Sequence, residues 1–242
     1  MKTSAFVITL ERSVERRPHA DWIVSQLPLP SEILNAVDGR ALPQDLVAEV
    51  CQRQIHSPKY PHELSRGEIG CFLSHRNAWQ TILDRNLDAA LILEDDITFD
   101  RDELCSAVKF VELSAEPGDY VQFQVRDVVA FAPEVRDCGH ALIQPRPAML
   151  RTTAQFVTRE AAQRLLDVTQ SFDRPVDTFL QMTWITGVPV KVVTPCVVRE
   201  ISQQLGGSTL GGSRRPWHER LRRELLRPVY RAQIRYRSLK AS

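Results

Sequence analysis

The sequence has 242 residues, of which 43% are hydrophobic and 25% charged, with 15 Pro, 10 Gly and 5 Cys, so collagen-like, disordered and disulfide-dense classes are excluded. The net charge of +1 conceals a division. Ten basic and two acidic residues between Arg214 and Lys240 give that segment +8 and leave −7 for residues 1 to 213, an acidic body with a basic tail.

Apolar runs alternate with helical spacing, which predicts an α/β fold built on a sheet with crossover helices. Ala5 to Leu10 reads as a buried strand. A helix containing Trp22, Ile23 and Leu27 follows, ended by Pro28 and Pro30. Ile33 to Val37 is a second strand closed by Asp38-Gly39, and a short helix lies near Leu42 to Cys51. Ser65-Arg66-Gly67-Glu68 is a capping box that opens a helix to about Arg85, with Ile69, Phe72, Leu73, Trp79, Ile82 and Leu83 at helical spacing. Ala89 to Leu93 is an uninterrupted apolar run, as expected of a strand covered on both faces, and ends in Glu94-Asp95-Asp96. Tyr120, Val121, Phe123 and Val125 alternate with Gln122 and Gln124. Ala154 to Val157 leads into a helix capped by Thr158, another helix spans roughly Val176 to Thr186, and Val190 to Val193 is a late strand.

The five cysteines are 20, 34, 33 and 58 positions apart and form no C-x-x-C pair, so neither a cysteine metal cluster nor a disulfide framework is expected and a reducing compartment is the simpler reading. Ala5 to Ile8 is too short for a signal peptide's apolar region, and no run approaches the roughly 20 apolar residues of a membrane span. The expectation is a cytosolic protein whose membrane contact is peripheral. Dinucleotide, P-loop, zinc-protease and serine-hydrolase motifs are missing.

The strongest chemical signal is the acidic triplet. A buried strand ending in carboxylates delivers them to the crevice outside the carboxyl edge of an α/β sheet, where ligands bind. In extended backbone Glu94 and Asp96 project to one side and Asp95 to the other. Two hard oxygen donors on one side suit Mg²⁺ or Mn²⁺ bridging to a diphosphate, and the bland alternative is a solvated acidic turn. Arg12, Arg16 and Arg17 beside a strand-to-helix junction can meet phosphate oxygens or simply cover the first turns of a helix. Cys71 and His75 are one turn apart, but nothing activates the thiol, and a small core cysteine is the better reading. Glu68 can act in the crevice or only cap its helix; Ser74 and His75 can face the crevice or satisfy each other. Asp177, just after Pro175, is either a general base or a helix N-terminal acid.

Leu10-Glu11-Arg12-Ser13 with Arg16, Asn35 to Arg40, Leu64 to His75 and Leu91 to Asp96 occur in an order that resembles glycosyltransferase family 25, with weaker similarity to about residue 200. The resemblance implies a GT-A-like fold, a mostly parallel central sheet flanked by helices, over residues 1–205; composition then marks a Gly-rich loop or linker at 206–213 and a basic helical tail at 214–242. It implies an inverting, metal-dependent transfer of a sugar, usually galactose from UDP-galactose, to a hydroxyl of a glycan or glycolipid acceptor such as the lipopolysaccharide core. By position, Asp96 and Glu94 correspond to the donor and metal motif for Mn²⁺ or Mg²⁺. Arg12, Arg16, Asp38, Arg40 and Ser74 fall around the nucleotide, and Glu68, His75 and Asp177 are catalytic candidates. The alternatives are a metal-dependent nucleotidyltransferase or diphosphate hydrolase, or a non-catalytic glycan-binding homologue.

In the tail, Trp217, Leu221, Leu225 and Val229 are four apart with arginines between, the pattern of an amphipathic helix on an anionic membrane surface at the cytoplasmic face. Pro228 is expected to interrupt it. A helix packed on the acidic body is the alternative; nucleic acid is not expected, since no recognition motif accompanies the charge.

Overall fold

The structure of the protein is a computed structural model that describes residues 1–128, 133–207 and 217–240, with side chains in the last segment from Leu226 onward. Strand β1 (Thr3–Thr9) leads through helix α1 (Arg17–Gln26) to β2 (Ser31–Asn35), and helices α2 (Gln44–Val50) and α3 (Arg66–Asp84) lead on to β3 (Ala89–Glu94). There follow β4 (Ile97–Phe99), α4 (Arg101–Ser114), β5 (Tyr120–Phe123), β6 (Pro133–Asp137), β7 (His140–Ile143), β8 (Ala154–Thr158) and α5 (Arg159–Val168). The short helices α6 (Val176–Leu180) and α7 (Thr183–Thr186), strands β9 (Val190–Thr194) and β10 (Val198–Glu200), and the long helix α8 (Trp217–Lys240) complete the chain.

The main sheet has the order β2-β1-β3-β8-β5-β9-β7-β6. Strands β1, β2, β3, β5 and β9 run one way, and β8 and β7 run against them. This mostly one-directional α/β sheet flanked by helices is the architecture that the sequence implies. Its strands are apolar because both faces are covered. Side chains alternate across β1: Phe6 and Ile8 join Phe72, Trp79 and Leu165 under α3 and α5, while Ala5 and Val7 join Ile23, Leu104 and Val108 under α1 and α4. Antiparallel β8 lies between β3 and β5, so the chain just before Ala154 is brought to the carboxyl end of β3.

Most expected elements are present with bounds moved by one or two residues, and the differences have local causes. The helix expected over 176–186 is two short helices separated at Gln181 and Met182. Helix α4 comes from a stretch without a predicted element, although Asp100 accepts from Asp102 N and Glu103 N and buries Leu104, Ala107, Val108 and Val111 at helical spacing. Strands β4, β6, β7 and β10 are additional. Pro228 does not interrupt α8, which runs on through it. Loss of one backbone hydrogen bond there is offset by tertiary packing beyond it, where Tyr230, Ile234 and Ser238, four apart, are buried against the body. The linker expected at 206–213 lies, from residue 208, outside the described residues, as do the side chains of Trp217, Leu221 and Leu225.

The attachment of α8 is specific. Arg174 is 0% exposed and is paired with the equally buried Asp173 through Nε at 2.7 Å. Its Nη1 donates to the Tyr230 hydroxyl at 2.8 Å, and Nη2 donates to the carbonyls of Pro58 at 2.9 Å and His56 at 3.3 Å. The guanidinium also lies over the rings of Tyr60 and Tyr230. A buried arginine is tolerable only when its donors and charge are met, and here they are met by the loop before α3, the residue preceding it and α8 together.

Candidate functional site

A cleft of about 680 Å³ opens at the carboxyl edge of the sheet, lined by the ends of β1 and β3, the start of α3, the loop before β8, the start of α6 and residues at β10. Arg12, Arg16, Asp38, Arg40, Glu68, Ser74, His75, Glu94, Asp96 and Asp177 all line it. Five separate sequence segments therefore converge on one site. They do not do the same thing there.

Three of these residues build the walls. Ser74 Oγ accepts from Val37 N at 2.8 Å and donates to the Gly70 carbonyl at 2.7 Å, tying α3 to the loop after β2. That loop lies backbone against backbone on the helix: a Cβ at Gly39 would be 1.7 Å from the Arg66 carbonyl oxygen, and one at Gly70 would be 2.6 Å from that of Val37. Glu68 completes the capping box, its carboxylate accepting from Ser65 N at 2.6 Å while Ser65 Oγ accepts from Glu68 N at 3.2 Å. Arg16 is 2% exposed, and its guanidinium is held within the protein: Nη1 donates to Asp95 Oδ1 at 2.7 Å and Nη2 to the Gly207 carbonyl at 2.5 Å. Thr9 Oγ1 holds the other oxygen of Asp95 at 2.5 Å. The triplet is thus split, with Asp95 fixed in a buried ion pair and its two neighbours turned to the cleft.

Arg12 and Arg40 lie at the rim. Arg12 Nε donates to Asp38 Oδ2 at 2.7 Å, and the Arg40 amide donates to Asp38 Oδ1 at 3.0 Å.

The remaining residues carry the unusual electrostatics. Glu94 Oε1 lies 3.4 Å from His75 Nε2 and accepts from Thr152 Oγ1 at 3.0 Å. His75 is 1% exposed, and its Nδ1 lies 3.1 Å from Gln155 Nε2. With the glutamine amide donating to Nδ1, the ring proton is on Nε2 and points at Glu94. Burial pushes the Glu94 carboxyl up, but its bonds to His75 and Thr152 outweigh that and hold it below the usual range. Asp96 has no such help. Burial, then the charges of Glu94 and Asp95, raise its carboxyl to about 7, and Asp96 Oδ1 is buried with no hydrogen-bond partner. The first proton taken up by this pair therefore goes to Asp96.

An unpartnered, buried carboxylate oxygen beside a second carboxylate is a site that a cation would complete. The hard oxygen donors of Asp96 and Glu94 fit Mn²⁺ or Mg²⁺. Cys71, His75 and Glu94 form a second group whose ligand atoms lie within 4.8 Å of one another. Burial first, then Glu94, raises the Cys71 thiol far above its ordinary value, which leaves it a poor nucleophile.

Asp177 is at the first turn of α6. Its Oδ1 accepts from Thr178 N at 2.6 Å and Thr178 Oγ1 at 3.1 Å, and its Oδ2 accepts from Arg151 N at 3.2 Å. Burial raises its carboxyl in spite of these bonds, with Glu94 adding to the rise. A carboxylate so held is oriented and more basic than a free one.

Thr152, Arg151, Glu200 and Ser202 also line the cleft and were not foreseen. Thr152 reaches Glu94 because β8 is inserted beside β3; Glu200 reaches the cleft because β10 pairs with β4, Glu200 opposite Ile97. Neither pairing leaves a local mark in the sequence.

Fold and site together define an α/β protein with a carboxylate-lined ligand cleft at the carboxyl edge of its sheet. A family model described as "Glycosyltransferase family 25 (LPS biosynthesis protein)" matches residues 2–180, and the chain belongs to that family. It is 37% identical over 98 residues to procollagen galactosyltransferase 1-B of Xenopus laevis, a match covering 39% of this chain and 16% of that protein. A glycosyltransferase 25 family member of Drosophila pseudoobscura pseudoobscura is 36% identical over 118 residues, covering 48% of this chain and 19% of the relative. The matches thus span less than a fifth of the length of these relatives. The inactive glycosyltransferase 25 family member 3 of Mus musculus is 32% identical over 97 residues, covering 39% of this chain and 16% of that protein. Among solved structures, the S. aureus TarS 1-349 structure is similar at a TM-score of 0.42 and 12% identity, covering 85% of this chain and 62% of that one.

Proposed function

We propose that the protein is an inverting glycosyltransferase that moves a hexose, galactose, from a UDP-sugar to a hydroxyl of a glycan or glycolipid acceptor such as a lipopolysaccharide core. The observation that carries this reading is the unpartnered Asp96 carboxylate facing the same cleft as Asp177. Asp96 and Glu94 would hold the divalent cation, which neutralises charge on the departing diphosphate when bound. His75 and Thr152 keep Glu94 ionised and oriented. The Arg16–Asp95 pair fixes the backbone that carries both ligands. Arg12, Asp38 and Arg40 bind the nucleotide at the rim. Asp177, its two oxygens fixed by Thr178 and the Arg151 amide, takes the proton from the acceptor hydroxyl.

Incubation with a panel of nucleotide sugars and Mn²⁺, followed by detection of donor hydrolysis, tests the donor class without needing the acceptor. Asp177→Asn is expected to retain slow donor hydrolysis and lose transfer by about 10²- to 10⁴-fold. Undiminished transfer excludes it as the base, and no turnover of any nucleotide sugar refutes the enzyme reading.

Metal binding should follow the proton on Asp96. Its raised carboxyl favours the folded state while protonated, and that contribution is lost as pH rises through about 7. A cation needs the ionised form. The rise in melting temperature on adding Mn²⁺ is therefore expected to be larger at about pH 8 than at about pH 6, on either side of the Asp96 value; equal rises would remove Asp96 from the metal site.

No helix among the described residues is long and apolar enough to cross a membrane. We place the outer face of α8 against an anionic membrane surface at the cytoplasmic side. Val229, Tyr236 and Leu239 are exposed opposite the buried Tyr230 and Ile234, and Arg231, Arg235 and Lys240 are exposed with them. Truncation would remove Tyr230, so the test is a variant with Arg231, Arg235 and Lys240 changed to Glu. Its co-sedimentation with phosphatidylserine vesicles should be lost; unchanged binding would exclude this surface.

A further inference from the structure

Arg151 has a backbone conformation that its side chain alone would not choose. Its φ is +87°, in the left-handed region that non-glycine residues enter only when their surroundings compel it. Both of its peptide groups are held. Its N–H donates to Asp177 Oδ2 at 3.2 Å, and its carbonyl accepts from Gln122 Nε2 at 2.9 Å. Gln122 also holds the Met149 carbonyl at 3.1 Å, and Gln124 holds that of Leu150 at 3.2 Å. Gln122 and Gln124 are buried on β5 and its continuation, where polar amides are costly unless bonded. Two buried amides thus fix one three-residue strap, and the strap presents a guanidinium to the cleft.

That guanidinium is paired with Glu200 across the cleft, and Glu200 also accepts from Ser202 Oγ at 2.8 Å. Glu200 pairs with Ile97, and the next residue's amide donates to the Asp96 carbonyl at 2.8 Å, so the ion pair lies beside the acidic triplet. Its two side chains are 41% and 36% exposed. An exposed pair of this kind contributes little net free energy and is screened by salt. Among the other cleft arginines, Arg16 is buried on Asp95, Arg66 is held by the Leu42 carbonyl and Gln44, and Arg12 has a similarly exposed pair with Asp38 but not the positive φ of Arg151. Arg151 is therefore a strain-positioned cation in a weak, replaceable pair, beside the carboxylates that would hold the metal.

We infer that Arg151 is a donor-binding residue, parked on Glu200 in the unliganded protein and transferred to the outer phosphate of the leaving diphosphate when the nucleotide sugar enters. The inference rests on the nucleotide-sugar reading above and adds a residue to it. A bidentate guanidinium–phosphate contact is stronger and more directional than the rim pair it replaces, so the exchange is favourable. The released Glu200 keeps Ser202 as a partner.

The test is isothermal titration with UDP and with UMP, in Mn²⁺, of the wild type and of Arg151→Gln, Arg151→Gly and Glu200→Gln. Arg151→Gln is expected to weaken UDP by roughly 10- to 100-fold, the range for losing one charge-assisted contact, and UMP much less. Arg151→Gly also relieves the positive φ, so it should melt no lower than wild type and still lose UDP affinity. Glu200→Gln frees the guanidinium and should bind UDP as tightly as wild type or more so. UDP affinity unchanged in Arg151→Gln overturns the inference, as does an equal loss for UDP and UMP accompanied by a lower melting temperature, which would mark a structural clasp. Failure of the wild type to bind UDP at all would instead overturn the nucleotide-sugar reading, and this inference with it.

Discussion

Replacing Asp96 with asparagine is expected to lower metal-dependent turnover of the nucleotide sugar by about a thousandfold or more, equivalent to roughly 4 kcal/mol of lost transition-state stabilisation. The fold should be untouched, because Asp96 Oδ1 has no internal partner to lose. Above neutral pH the metal-free variant should melt slightly higher than wild type, since a carboxylate raised to about 7 by burial and by its neighbours is relieved of its charge. Asp95→Asn is the informative contrast. That side chain accepts from Arg16 and Thr9 inside the protein, so its loss should appear first as instability, by about 3 kcal/mol or more. Two adjacent aspartates should thus fail in different assays. Full metal-dependent activity in Asp96→Asn would remove the proposed metal site.

Arg174→Leu is expected to destabilise the protein by about 3–5 kcal/mol, because Asp173 would be left charged and fully buried without its counter-ion. For a chain of this size that corresponds to a melting temperature lower by about 10 °C. Tyr230→Phe removes only the hydroxyl that meets Arg174 Nη1 and should cost about 1–3 kcal/mol. Both variants should also reduce transfer, since Asp177 is three residues beyond Arg174 and is oriented by the same segment. A melting temperature within a degree of wild type in Arg174→Leu would show that the buried cluster contributes nothing to stability.

Much of the fold is readable locally. The runs Ala5–Leu10 and Ala89–Leu93 are apolar because both faces of the sheet are covered, and the capping box at Ser65 specifies where α3 begins. Helix α4 carries an equally local signal, an aspartate N-cap followed by Leu104, Ala107, Val108 and Val111. For the cleft, the segments that meet there are legible because each follows a strand end or opens a helix. What each residue does is less so. Nothing in the spacing shows that Arg16 and Asp95 form a buried ion pair, or that Glu68 and Ser74, besides lining the cleft, hold α3 in place. Arg151 and Glu200 depend on non-local strand pairings, β8 inserted beside β3 and β10 against β4, which no spacing reveals.

The joint between Arg174 and Tyr230 has a consequence for the order in which the protein can be completed. During synthesis from the N-terminus, Asp173, Arg174 and Asp177 leave the ribosome more than fifty residues before Tyr230 does. Until that tyrosine arrives, the buried guanidinium lacks one partner and the aromatic ring that covers it. The basic helix is then less an appendage than a closing piece: a polypeptide interrupted before Tyr230 would carry every cleft residue described and still lack the hydroxyl and ring that complete the burial of Arg174, three residues before Asp177.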